Sequence, residues 1–434
     1  MGKLFFGFLF IISLNCYGQK NQTVITGDIS NFWKAYDQVL VTKDSLEQIR
    51  IIQTLYIDKG TEGLKGIMQA RRYTAAEYSK AISQYPLYWK YIRKNTLKAG
   101  SYARKIEKGI DQLREIYPAL RPAKIYFTIG AFRTSGTILD DKVLIGSEIA
   151  MADNKAPTGE FGRNLSHLSP YFTTNPLKGL TFLNVHEYIH TQQNTTLGNT
   201  LLSQAVLEGA AEFIATIALS TKSPNEQISY GKKNDERIKK AFVKEMFSNN
   251  FDNWIWNSPD NEFGIRDLAY YVGYAICESY YSTANDKQLA VKTMIELDYN
   301  NDEQLTRFVE GTRYFEKPLS VYKQQFENSR PTLTRIVPFE NGNQDISAYT
   351  KMVTLFFSEP MSRKTADFDI GPLGDQNVMW LEKRIGFSGD GRSYSFEIKA
   401  LQPGKRYQLL VTDAFQNSSG IPLKPYLIDV STAK

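Results

Sequence analysis

The spacing of two histidines constrains the fold of this chain of 434 residues more than any other sequence feature. The sequence contains three histidines, and two of them, His186 and His190, lie four residues apart in the run HEYIH. Residues four apart share one face of an α-helix, so the two imidazoles can approach a single metal ion if this segment is helical. Apolar residues such as Leu183 and Ile189 surround the motif, and no proline interrupts it. The pattern therefore predicts a helix over 178–192.

The residue types in this motif suit zinc chemistry. Two imidazoles are typical ligands of Zn²⁺, which lowers the pKa of a water ligand towards about 7. Glu187 directly follows the first histidine and could take the proton of that water as it attacks a carbonyl carbon. We therefore predict His186 and His190 as zinc ligands and Glu187 as the general base. The alternative is a surface helix that carries two incidental histidines.

A catalytic zinc ion needs a third protein ligand and an open position. The downstream run LEGAAEF places Glu208 and Glu212 four residues apart, again on one face of a predicted helix. We predict Glu208 as the third ligand. Glu212 is then expected to accept a hydrogen bond from a ligand imidazole and fix its tautomer. The alternative for Glu212 is a solvated carboxylate or a salt bridge.

The two motifs, HEYIH at 186–190 and EGAAE at 208–212, together resemble the gluzincin zinc metallopeptidases. In that group a glutamate on the next helix completes the zinc site. The EGAAE form looks more like poorly characterised bacterial families of zinc metallopeptidases. The resemblance is strong over the motifs and loose over the rest of 120–330. It implies a zincin-like domain, a Zn²⁺ cofactor and a peptide or protein substrate.

The resemblance also implies a group that stabilises the oxyanion, because related enzymes often use a tyrosine or histidine from a later helix. The run AYYVGY offers Tyr270, Tyr271 and Tyr274. We name Tyr271 and Tyr274 as the catalytic candidates. The alternative for each tyrosine is core packing with a satisfied hydroxyl group.

The pattern of the chain predicts an α+β fold, and its length suggests two or three domains. Apolar residues recur every three or four positions over about 28–120, which predicts a helical N-terminal lobe. Strand-like runs at 124–129 and 143–146, with a turn at Asp140-Asp141, predict a small β-sheet. Helical patterning then returns at 178–192, 201–219, 226–247, 266–281 and 287–297.

After residue 330, short alternating segments separated by glycine and serine turns predict a β-sandwich. We expect Met352 and Trp380 in its core. The motifs of this region resemble those of the bacterial Ig-like domains that are appended to exported proteins; they are PFENG, FSEPM and LQPG.

These patterns predict three consecutive parts. Residues 1–19 are expected to form a signal peptide. Residues 20–330 are expected to form a mostly helical zincin-like metallopeptidase domain with a small β-sheet, in which the sheet and the zinc-site helices occupy about 121–330. An all-β Ig-like sandwich is expected to occupy 331–434.

The signal peptide is predicted from Lys3, the apolar run 4–14 and the small residues Cys16 and Gly18 at the −3 and −1 positions. The apolar run is too short to cross a bilayer, which takes about 20 residues. Lipid attachment at Cys16 is the less favoured alternative, because the residues before it match that signal poorly. The ending Tyr-Gly-Gln resembles signal peptides of Bacteroidetes. We therefore expect a bacterial protein of the periplasm, the cell surface or the medium.

The charge balance argues against a nucleic-acid binder. The net charge of +6 comes from 52 basic and 46 acidic residues and is not concentrated in any one stretch. We expect no nucleic-acid partner and no transmembrane segment, and the oligomeric state stays open.

Two alternatives to a peptidase remain at this point. One is a non-catalytic envelope protein, for binding or secretion, on a peptidase fold. The other is a zinc amidohydrolase acting on a cell-wall amide.

Overall fold

The computed structural model describes residues 23–434, so the predicted signal peptide lies outside the described residues. The described chain is an α+β protein that divides into two compact units. The first unit contains residues up to 108 together with 122–152, and the second contains 109–121 together with 153–434. The strands of the first sheet therefore belong with the N-terminal helices, whereas the sequence analysis grouped them with the zinc-site helices.

Helices form most of the N-terminal part, as its apolar periodicity predicts. Local signals mark their beginnings: Thr74 and Glu77 form a capping box, and Pro86 occupies the first turn of the following helix. Phe32 and Trp89 are buried at the centre of this unit, with their ring centroids 5.1 Å apart. The helices are α1 (Gly27–Val41), α2 (Ser45–Ile52), α3 (Glu62–Arg71), α4 (Ala75–Gln84), α5 (Pro86–Thr96) and α6 (Ala99–Ile116).

A four-stranded sheet of order β1-β2-β4-β3 completes the first unit. Its strands are β1 (Val24–Ile25), β2 (Lys124–Thr128), β3 (Gly136–Leu139) and β4 (Lys142–Gly146), and the short helix α7 (Ser147–Ala150) follows. The first three strands in this order are parallel, and β3 pairs antiparallel with β4. The predicted turn at Asp140-Asp141 is confirmed, and Asp140 adopts a positive φ of 53°. The sequence analysis did not identify β1 or β3, which are short.

Glu148 of α7 is a fully buried carboxyl group that holds the loop after β2. Its Oε2 accepts a hydrogen bond from the backbone N–H of Gly130 at 2.7 Å, and its Oε1 accepts one from Phe132 at 3.1 Å. Burial raises the pKa of Glu148 to about 7, although these two hydrogen bonds act in the opposite direction. The folded unit therefore binds a proton at this position more tightly than an unfolded chain does.

This shift predicts a pH dependence of stability. A carboxyl group whose pKa rises from 4.5 to about 7 on folding stabilises the fold fully below about pH 4.5, and the contribution is lost as the pH rises through 7. At about 1.4 kcal/mol per pKa unit, the loss is about 3 kcal/mol. Denaturant unfolding from pH 4 to 8 should show this decline in the wild type and a flatter profile in Glu148→Gln. The exposed control Glu303→Gln should follow the wild type, and equal profiles for Glu148→Gln and wild type would refute the assignment.

The second unit contains eight α-helices from residue 168 onward. They are α8 (Leu168–Thr173), α9 (Leu180–His190), α10 (Leu201–Ala218), α11 (Glu226–Phe242), α12 (Leu268–Thr283), α13 (Lys287–Glu296), α14 (Asp302–Thr312) and α15 (Leu319–Ser329). Five of them, α9 to α13, match the predicted segments closely. The sequence analysis did not identify α8, α14 and α15. Within the described residues, α10 is long and apolar enough to cross a membrane, and 94% of its span is buried inside the protein.

Two glycines allow α10 and α12 to pack with their backbones in contact. A Cβ atom added at Gly273 would overlap the carbonyl oxygen of Ala205, and one added at Gly209 would overlap the backbone of Gly273. A side chain at either position would therefore force the two helices apart. Gly209 lies inside the EGAAE motif, directly after the predicted zinc ligand Glu208. The absence of a side chain at this position allows the two helices to pack closely.

Substitution at this contact should destabilise the protein. Overpacking typically costs about 1–3 kcal/mol, and backbone overlap places Gly209→Ala and Gly273→Ala at the upper end of this range. Gly311→Ala in α14 is the matched control, since an added Cβ there meets no atom within 4 Å and alanine favours a helix. Thermal denaturation should show a lower Tm for the first two variants and an equal or higher Tm for the control. Equal Tm values for all three would refute the close contact.

The strands after residue 330 form two antiparallel sheets that share one apolar core, as the alternating pattern predicts. The prediction for Met352 and Trp380 is wrong, because these side chains are 50% and 49% exposed. Val353 and Met379, their immediate neighbours, point into the core instead. The strands are β5 (Leu333–Val337), β6 (Met352–Phe357), β7 (Phe368–Asp369), β8 (Leu381–Phe387), β9 (Ser393–Ile398), β10 (Arg406–Val411) and β11 (Tyr426–Ser431), in the orders β5-β6-β9-β8 and β11-β10-β7.

Candidate metal centre

Helices α9 and α10 bring together the three residues predicted as metal ligands. Nε2 of His190 lies 3.1 Å from Nε2 of His186 and 3.1 Å from Oε2 of Glu208. Nε2 of His186 lies 3.6 Å from the same carboxylate oxygen. Ligands about 2.0–2.1 Å from a tetrahedral zinc ion stand about 3.3 Å apart, so this donor set has the size that zinc requires. These residues can hold a metal ion.

Gln193 determines which nitrogen of His190 faces the centre. The side-chain amide nitrogen of Gln193 donates to the carbonyl oxygen of Leu207 at 3.0 Å and to the hydroxyl oxygen of Tyr299 at 2.9 Å. The Tyr299 hydroxyl itself donates to the carbonyl of Met294, so it accepts from Gln193. Oε1 of Gln193 therefore faces Nδ1 of His190, at 2.6 Å, and this nitrogen carries the proton. The lone pair of Nε2 is left to face Glu208.

Glu212 has the same effect on His186. Its Oε2 lies 3.1 Å from Nδ1 of His186, an ion-pair distance without the alignment of a good hydrogen bond. The carboxylate is fully buried and is held by the hydroxyl of Ser223 and by the amide nitrogen of Asn225 at 3.0 and 3.1 Å. An ionised carboxylate only accepts hydrogen bonds, so it favours the proton on Nδ1 and leaves Nε2 bare.

With these tautomers, the lone pairs of His186, His190 and Glu208 converge on one space. Burial is the largest single influence on His186 and lowers its pKa, but Glu208 and Glu212 together outweigh burial and raise the pKa to about 10. Burial also favours a raised pKa for Glu208, whereas the two histidines overcome this effect and hold it below its usual range. The pKa shifts of His186 and Glu208 both indicate that the centre stabilises a positive charge, whether a proton or a metal ion.

Glu187, the predicted general base, is half-buried on α9 between the two histidines. Its negative charge contributes to the raised pKa values of His186 and His190 and also acts on Tyr270. The carboxylate therefore lies within electrostatic reach of the metal centre and of the neighbouring tyrosine.

The three candidate tyrosines of α12 lie in different surroundings. The hydroxyl of Tyr271 donates to Asp235 at 2.8 Å, and that of Tyr274 lies 3.5 Å from Oε1 of Glu278. Tyr270 instead stacks on His186, with ring centroids 6.1 Å apart and an interplanar angle of 23°. Adjacent helical residues point about 100° apart, so when Tyr270 faces the metal centre Tyr271 faces α11.

Tyr270 is the tyrosine that the structure brings to the metal centre. Burial raises its pKa well above the ordinary value, and the charge of Glu208, with which its hydroxyl interacts, adds to the effect. The hydroxyl group therefore stays protonated and remains a hydrogen-bond donor.

Sequence reasoning missed two glutamines that orient the ligands. Gln193 lies three residues after His190, and Gln204 lies four residues before Glu208. The amide nitrogen of Gln204 donates to Oε1 of Glu208 at 3.0 Å, which leaves Oε2 for the centre. Helical spacing of amide side chains from the ligands is the signal that could have identified both.

Two further residues with reactive side chains lie outside the donor set. His167 is exposed and directly precedes α8. Cys277 is fully buried, and burial raises the pKa of its thiol.

No protein-family model matches this chain, and no curated protein matches it. Among solved structures, the chain is similar to the S-layer protein rSbsC(31-844), with 10% identity, a TM-score of 0.19, and coverage of 54% of this chain and 32% of that chain. It is also similar to domains 1–6 of the surface layer protein SbsC, with 13% identity, a TM-score of 0.19, and coverage of 66% and 39%. The N-terminal part of the bacterial S-layer protein SbsC has 10% identity, a TM-score of 0.20, and coverage of 94% and 77%.

This chain thus spans about a third of the first of these structures. Likeness at such TM-scores carries no argument about the fold or the function of this chain.

The geometry predicts different effects for the ligand and for the residue that orients it. Glu208→Ala removes a donor atom and should abolish stoichiometric zinc binding. Gln193→Leu keeps all three donors but frees His190, so zinc affinity should fall by about 10–100-fold, as is typical for partners of ligand histidines. Competition with a chromophoric chelator measures both effects. The exposed helical control Gln324→Leu should bind like the wild type; wild-type affinity in Gln193→Leu would refute its orienting role.

Proposed function

We propose that this protein is an exported zinc-dependent metallopeptidase. The observation that carries the proposal is the convergence of His186, His190 and Glu208, with an acceptor oxygen beside each Nδ1 atom and three lone pairs facing each other. A buried set of this kind is costly unless a cation occupies it. A structural zinc site normally has four protein ligands, so three ligands favour a catalytic role.

The chemistry follows from the groups around this set. A bound zinc ion would supply Lewis acidity, which makes a water molecule a better nucleophile and a peptide carbonyl a better electrophile. Glu187 is proposed to take the proton of the attacking water and to deliver it to the leaving amine. A role in binding alone would place no demand on this carboxylate, and its presence favours catalysis over a purely structural metal site.

Tyr270 is proposed to stabilise the negative charge that develops on the carbonyl oxygen. Its ring stacks on His186 and its hydroxyl remains protonated, so a neutral donor is present beside the metal centre. Hydrogen-bond donors placed where charge develops commonly account for about 10²–10³-fold in kcat. Export is part of the proposal and rests on the predicted signal peptide.

The test is hydrolysis of a peptide library by zinc-loaded protein that lacks residues 1–19, followed by mass spectrometry. Glu187→Gln should keep stoichiometric zinc and lose activity by about 10²–10⁴-fold, because only proton transfer is removed. Tyr270→Phe should lower kcat by about 10²–10³-fold. Zinc-loaded wild type that cleaves no peptide would refute the proposal, and cleavage of cell-wall amides instead would identify an amidohydrolase.

Tyr271→Phe is the matched control for the tyrosine. It removes the same atom one residue along the helix, from a hydroxyl that binds Asp235. Asp235 keeps Tyr314 at 2.6 Å and Lys239 at 2.9 Å as partners, so the variant should fold and retain its kcat. Equal losses in Tyr270→Phe and Tyr271→Phe would contradict the assignment of Tyr270.

A further inference from the structure

A partly buried ion pair stands at the beginning of α12, three residues before Tyr270. Nε of Arg266 donates to Oδ2 of Asp267 at 2.6 Å, and Oδ1 of Asp267 accepts from the backbone N–H of Trp256 at 2.6 Å. The backbone N–H of Asp267 donates in turn to Oδ1 of Asn257 at 2.8 Å. The Asp267 side chain is only 15% exposed, so these contacts hold it in one position.

This pair lies one helical turn from the tyrosine of the metal centre. The backbone N–H of Tyr270 donates to the carbonyl oxygen of Asp267 at 3.1 Å, and the Tyr270 ring stacks on His186. The charge of Asp267 acts on both Tyr270 and Glu208. Asp267 therefore lies within electrostatic reach of Glu208 and Tyr270, and Arg266 is ion-paired to Asp267.

The remaining nitrogens of Arg266 are available to a ligand. Its side chain is 30% exposed, and among the described residues its Nη atoms form no hydrogen bond. The charge of Arg266 also acts on His167, which directly precedes α8: partial burial and this charge both lower the pKa of His167. A guanidinium held through Nε keeps its two Nη groups for bidentate contact with a carboxylate.

We propose that Arg266 binds a carboxylate group of the substrate, oriented for this by Asp267. The inference rests on the proposed peptidase function and adds a substrate class to it. Two sources share this chemistry: the C-terminal carboxylate of a peptide and an acidic side chain. The first would make the enzyme a carboxypeptidase, and the second would make it selective for acidic residues.

The test measures binding separately from turnover. Zinc-loaded Glu187→Gln protein, which should bind without cleaving, is immobilised and exposed to random peptides made in free-acid and C-terminally amidated forms, and retained peptides are quantified by mass spectrometry. A C-terminal site predicts at least tenfold higher retention of the free acids. A side-chain site predicts equal retention of the two forms, with enrichment of Asp and Glu at one position. Equal retention without such enrichment, or retention of neither form, overturns the inference.

The variants assign the effect to Arg266. Arg266→Met combined with Asp267→Asn removes the cation without leaving a buried carboxylate unpaired, and should abolish the preference. Arg266→Lys keeps the positive charge beside Asp267 but lacks the two Nη groups that allow bidentate contact. This variant should stay folded and show a reduced preference for the carboxylate. The exposed arginine control Arg307→Met should retain the full preference. A preference that survives in the double variant overturns the inference, because the carboxylate then binds elsewhere.

The two proposals can fail separately. If Arg266-dependent retention is found but the zinc-loaded wild type cleaves none of the retained peptides, the peptidase proposal fails and the carboxylate site stands. If the wild type cleaves peptides with no preference for a carboxylate, the peptidase proposal stands and the carboxylate site fails.

Discussion

The mutual approach of three lone pairs is the constraint on which the rest of the site depends. Two imidazole nitrogens and a carboxylate oxygen within 3.1–3.6 Å of each other repel unless a positive charge lies between them. The surrounding residues act to maintain this arrangement, since Gln193 and Glu212 occupy the outer nitrogens with acceptors. The protein thus uses part of its folding free energy to hold three donor atoms together, and this arrangement is stable only when a positive charge lies between them.

Helices α10 and α12 can approach each other closely because glycines, which have no side chain, lie at their contact. The contact of Gly209 with Gly273 brings the backbones of α10 and α12 together, next to Glu208 and one turn from Tyr270. A carboxylate ligand from one helix and a hydroxyl donor from the other can then face the same space. Helix packing and the candidate metal centre are therefore connected in the EGAAE motif, where small residues separate Glu208 from Glu212.

The approach of the two histidines could be predicted from the sequence because their relation is local, whereas Glu208 lies on the next helix. Spacing of four residues on a helix places His186 beside His190, whatever the rest of the fold does. The tyrosine that stacks on His186 could not be predicted, because the choice between Tyr270 and Tyr271 depends on the rotation of α12, which its contact with α10 sets. Met352 shows the same limit. The alternation of buried and exposed residues in β6 could be predicted, but not which face of the sheet Met352, its first residue, occupies.

The glycine contact has a consequence for the history of such chains. A descendant that lost Glu187 or a histidine would still need a residue without a Cβ atom at Gly209 and at Gly273. Selection for folding alone would then preserve the two glycines, whatever became of the candidate metal centre. A homologue without the histidines would still be recognised by its paired helical glycines.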